Sequence, residues 1–184
     1  WSLEARSVWS PEGKQVYYAC GPSAEKGRSI YVFDLETGRS NRLTGSPDDV
    51  HAIAVSPNGK WLAVINDQGR RSLRIMPVSG GDPREIHGFE QPGDALITMA
   101  WTGDSQGVYI TKMRESEKNI SDIYEVPLNG KDLKKIELGL GRIRFLSVRP
   151  GDREIAFNSY FDKDMRTRQV WVMENFLPTA KKGK

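Results

Sequence analysis

Two histidines, His51 and His87, and a single cysteine, Cys20, are the side chains of this 184-residue chain best suited to nucleophilic or metal chemistry. Their settings point to neither. A serine hydrolase needs a nucleophile elbow, and no Gly-x-Ser-x-Gly occurs. One cysteine makes no intramolecular disulfide and no cysteine-only zinc site, and two scattered histidines add no ligand spacing. Both histidines therefore read as ordinary strand or loop residues. Asp162-Lys163-Asp164 and Asp48-Asp49 lack the spaced acidic ligands and the glycine of an oxygen-rich calcium loop, so they read as solvated loops. A carboxylate pair for glycoside cleavage cannot be chosen among 24 acidic residues without geometry. The sequence is thus expected to carry no catalytic residue, no metal ligand and no cofactor.

Four tryptophans, Trp9, Trp61, Trp101 and Trp171, have the chemistry of a sugar or base platform, but each lies inside an apolar run, so core packing is the expected role. The formal charge is +3 with both signs interspersed, which gives no electrostatic footprint for nucleic acid. Lys181-Lys182-Gly183-Lys184 closes a basic segment, 179–184, that reads as a disordered tail. No apolar stretch approaches the roughly 20 residues that span a bilayer, so membrane insertion is not expected.

The elements that position these residues follow from a repeat. Ser56-Pro57-Asn58-Gly59-Lys60 joins two apolar runs, His51 to Val55 and Trp61 to Ile65, as strand, tight turn, strand. The same design recurs at Ser10-Pro11-Glu12-Gly13-Lys14, at Thr102-Gly103-Asp104-Ser105 and at Arg149-Pro150-Gly151-Asp152, with a period of about 46 residues. Each unit holds up to four short strands, a to d, and no apolar 3.6-residue period runs for three turns. An all-β fold follows, a β-propeller of four-stranded antiparallel blades with about four blades present as a partial ring. The repeats occupy 1–178, with blades near 1–44, 45–88, 89–138 and 139–176.

In strand c the alternate positions place Ile30, Leu73, Ile123 and Val170 on one face, and Phe33, Met76, Val126 and Met173 on the other. Apolar residues on both faces predict a sheet covered on both sides. The fourth unit encodes no outer strand, since its place falls in Lys181 to Lys184. The chain, which begins without methionine, therefore reads as a piece of a larger protein running from strand a of one blade to strand c of another.

The turn motif, together with Ile30-Tyr31-Val32-Phe33-Asp34-Leu35-Glu36-Thr37-Gly38 and Arg42-Leu43-Thr44, resembles the WD40-like repeat of TolB-type propellers. That resemblance implies a ring of about six to eight blades, and a periplasmic or extracellular, bacterial setting. It also implies a non-catalytic scaffold for a protein or peptide. Propellers similar to these are also found fused to prolyl-oligopeptidase-type hydrolases, kinases and transcriptional regulators; an accessory propeller of such a hydrolase, and a carbohydrate-binding or lyase propeller, are the alternative readings.

Topology places the b to c and d to a loops at one end of every blade. The b to c loops are long and charged, and binding concentrates in long loops on rigid scaffolds. The expected contact residues are Arg70, Arg71, Arg114, Tyr160 and Arg168. Open blade edges at the two ends of the stack are expected to favour self-association.

Overall fold

A computed structural model describes residues 7–21, 27–44, 50–66, 71–89, 98–113, 120–138, 141–149, 154–160 and 168–173. The first sheet contains β1 (Ser7–Trp9), β2 (Gln15–Cys20), β3 (Ser29–Asp34) and β4 (Arg39–Arg42) in that order. The second holds β5 (Val50–Val55), β6 (Trp61–Asn66), β7 (Ser72–Pro77) and β8 (Arg84–Gly88), and the third β9 (Met99–Trp101), β10 (Gly107–Met113), β11 (Ser121–Pro127) and β12 (Lys134–Ile136). The fourth contains β13 (Arg142–Val148), β14 (Ile155–Tyr160) and β15 (Arg168–Met173). Every pairing is antiparallel, and the described residues contain no helix. The region expected to lack a fourth outer strand, and the basic tail, lie outside the described residues.

The turns explain why the strands begin where they do. Ser10, Ser56 and Thr102 are buried, and each hydroxyl accepts the N–H that opens the next strand: from Gln15 at 3.0 Å, Trp61 at 3.0 Å and Gly107 at 3.0 Å. Their own N–H groups donate to the carbonyls of the same three residues at 2.8, 2.9 and 2.9 Å. Gly13, Gly59 and Ser105 close the turns with φ of 73°, 68° and 61°, and each donates to the Ser or Thr carbonyl. In the fourth unit Arg149 replaces the hydroxyl, and its side chain pairs with Glu154 at 3.0 Å.

The sheets stack through three apolar layers. β6 shows the logic. Leu62 and Val64 belong to the layer shared with the first sheet, whereas Ala63 and Ile65 belong to the layer shared with the third. Tyr109 and Ile123 meet Ile143, Ile155 and Phe157 between the third and fourth sheets. Period-two alternation thus feeds two cores from one strand. Pro77 and Pro127 close β7 and β11, where a missing N–H does not interrupt the ladder. At the outside, all four residues of β4 are exposed and two are arginines, a charged edge that resists further pairing.

The open ends depart from the sequence expectation. Trp9 occupies the same place in its unit as Trp101, yet it is 58% exposed while Trp101 is 4% exposed. Trp101 lies against the second sheet and donates its indole N–H to the Ala54 carbonyl at 3.0 Å. No described sheet stands beside Trp9. Its assignment to the core is therefore corrected, whereas Trp61 is half-buried against the second layer and Trp171 has its side chain outside the described residues. Phe33 repeats the point, at 37% exposure where its counterparts Met76 and Val126 are fully buried. At the other end Val172 is 61% exposed.

Candidate functional site

Of the five residues expected at the long-loop end, Arg70 and Arg114 lie outside the described residues. Tyr160 and Arg168 are brought together as register partners at the ends of β14 and β15, and Arg142 pairs with Tyr160 on the other side. Arg71 immediately precedes β7, and its carbonyl accepts the Phe89 N–H at 3.0 Å. Two described cations at this end join neighbouring sheets. An Arg28 guanidinium N–H reaches from the first sheet to the Val50 carbonyl of the second at 3.4 Å. Lys112 Nζ lies 5.8 Å from the Phe89 ring centre and 5.6 Å from that of Tyr124, a cation–π contact across the second and third sheets.

Nearby polar groups are similarly committed. Ser72 donates to Asn66 Oδ1 at 2.7 Å and accepts from Arg74 Nε at 3.2 Å. At the outer edge Lys135 bridges Glu137 at 2.7 Å and the buried Asp122 at 3.1 Å. Those two carboxylates, Glu137 first, hold the Lys135 ammonium above its ordinary value.

The opposite, short-turn end has a different character. The inner strands β1, β5, β9 and β13 follow one another around an axis. Where their ends converge, a cleft of about 440 Å³ opens. Pro11 and Pro57 come from the first two turns, Trp101 from the third sheet, and residues 146–148 from the fourth. A bulge between Arg144 and Ser147 helps to turn that last segment into the cleft, with Phe145 at φ 57°.

Beside the cleft the second and third turns are joined directly. The Asn58 N–H donates to Ser105 Oγ at 3.1 Å. Burial, and secondarily the Glu12 carboxylate, raises the Tyr17 phenol above its ordinary value, and its hydroxyl donates to Gln15 Oε1 at 2.9 Å. Sequence reasoning missed this cleft because its walls come from four repeats about 46 residues apart. The signal that could have found it was the proline at the same step of two turns. Among the described residues, no group of three or more His, Cys, Asp or Glu is placed to hold a metal ion.

TolB from Acinetobacter baumannii superposes with a TM-score of 0.71 over 92% of this chain and 40% of its own, at 18% identity. The fold is a TolB-type, WD40-like β-propeller. Among the described residues three four-stranded sheets and one three-stranded sheet stand as successive blades, and these four do not close a ring among themselves. No family model matches the propeller chain. Among curated proteins it is 24% identical to dipeptidyl-peptidase 5 of Porphyromonas gingivalis over 160 residues, 81% of this chain and 23% of that protein. It is 29% identical to the small ribosomal subunit protein RACK1 of Candida albicans over 90 residues, 47% of this chain and 28% of that protein. The propeller chain thus spans about a quarter of the length of these relatives.

Proposed function

We propose that the chain is a non-catalytic segment of a larger propeller, and that it binds a protein or peptide. The observation that carries this reading is the axial cleft. It is walled by proline rings, a tryptophan and the apolar residues Leu146 and Val148, and it lies beside the inner strands at the unpaired side of each sheet. An extended peptide can place apolar side chains in such a cleft while its backbone meets the free strand edges. The long-loop end, with Arg71 and the Arg142, Tyr160 and Arg168 row, is the competing contact surface.

A phage library of random linear peptides selected on the intact chain separates the two ends. Ser147→Arg places a bulky cation at the cleft without touching the core, because Ser147 is exposed. The expected result is at least a tenfold loss of affinity in Ser147→Arg and unchanged binding in Arg71→Glu. The reverse pattern moves the site to the long-loop end, and failure of both variants to affect binding overturns both readings.

The likeness to dipeptidyl-peptidase 5 favours a second reading, an accessory propeller of a hydrolase. Peptidase activity in the full parent protein that is lost on deletion of this segment supports that alternative.

A further inference from the structure

The layer between the third and fourth sheets ends, toward the long loops, in three fully buried hydroxyls: Thr111, Ser121 and Ser159. Register places all three on facing surfaces. Thr111 pairs with Ile123, and Ser121 lies two residues from Ile123 on the same side of β11. Ser159 lies two residues from Phe157 on β14 and pairs with Ile143. Ile123, Phe157 and Ile143 all belong to the apolar layer between these two sheets, so the hydroxyls continue that layer upward. A bridge between Ile120 and Gly141 links the third sheet to the fourth and brings Ser121 beside the start of β13.

None of the three oxygens has a hydrogen-bond partner within the protein, and they are the only buried hydroxyls among the described residues of which this is so. By contrast, the Thr44 hydroxyl in the first sheet accepts the Ile30 N–H at 3.1 Å, and Ser72 in the second is bonded on both sides. A buried hydroxyl without a partner destabilises a fold, and three such groups on the facing surfaces of one layer call for a small polar ligand. Each hydroxyl can donate one hydrogen bond and accept others, and a buried water makes about three.

We propose that these three hydroxyls, next to the Ile120–Gly141 bridge, form a hydration site in which ordered water bridges Thr111, Ser121 and Ser159 and joins the third sheet to the fourth. The site is independent of the axial cleft and of any partner that occupies it.

The test is the thermal stability of the intact chain in Ser121→Ala, Ser159→Ala and Thr111→Val. Each removes a hydroxyl with little change of shape. Bridging water predicts that each variant lowers the Tm by about 2–4 °C, and that the triple variant loses less than the three separate losses combined, because the partners act through one bridge. Bare hydroxyls predict the opposite sign, a rise in Tm with every removal. A rise or an unchanged Tm in both serine variants overturns the proposal. A high-resolution crystal structure provides a second readout: solvent density about 2.7–3.2 Å from at least two of the oxygens is expected, and a dry space refutes the site.

Discussion

Asp34 shows how much of a turn one side chain can carry. Its carboxylate accepts from the Thr37 N–H and from the Thr37 hydroxyl, both at 2.8 Å, just before Gly38 at φ 66°. The Thr37 N–H, and next the Thr37 hydroxyl, holds the carboxyl below its ordinary value of 3.8. A lowered acid pKa stabilises the fold at pH values above the unfolded value, and the contribution is lost as pH falls through the native value. Asp34→Ala should therefore lower the urea midpoint by a constant amount at neutral pH, and the gap to wild type should close below about pH 4. A gap that persists at pH 2 would assign the effect to something other than ionisation.

Gly59 tests the turn backbone in the same way. An added Cβ would meet nothing nearer than 3.8 Å, so any cost comes from φ alone. Gly59→Ala is expected to cost about 1–2 kcal/mol in denaturant unfolding. The equivalent Ser105 already has a side chain at that conformation, where its oxygen receives the Asn58 N–H.

At the scale of the strand, identical positions in the repeat differ according to what stands beside them. Leu73 on β7 is fully buried between the second and third sheets, and Leu73→Ala should cost about 2–5 kcal/mol. Phe33 on β3 has the same apolar chemistry but no described sheet on its side, and at 37% exposure Phe33→Ala should cost less, about 1–2 kcal/mol in the isolated chain. Equilibrium unfolding of the two variants compares them directly. Equal losses would show that Phe33 is covered in solution. The faces of β3, β7 and β11 were legible in the sequence because alternation at period two is a local property of extended backbone. The Ser and Thr caps at residues 10, 56 and 102 recurred in the sequence as repeat markers, but their burial and paired bonds emerge only once the two strands meet.

At the scale of the molecule, the open end faces dominate. Trp9 and Phe33 on the first sheet, and Val172 on the last, sit where the interior of the stack places buried residues. The first sheet presents the half of a sheet contact that Met76 and Val126 present inside the stack, and the fourth presents the other half. Two copies, or further blades of the same protein, can complete that contact with the geometry already used three times. The isolated chain is expected to show a mass that rises with concentration in light scattering, and Trp9→Glu with Val172→Lys should return it to monomer. A wild-type chain that stays monomeric at high concentration would contradict association through these faces.

Alternating apolar residues, turn residues at fixed steps and a repeat near 46 residues determined the all-β class, the strand order and the number of sheets, since alternation and turn chemistry are local and the repeat only counts the copies of that local pattern. Only the tertiary structure decided which of two equivalent tryptophans is buried, where four turns leave a cleft, and which hydroxyls face one another without a partner. Those properties depend on the sheet next door, whose residues lie a whole repeat away, and no local pattern records what the neighbouring surface will offer.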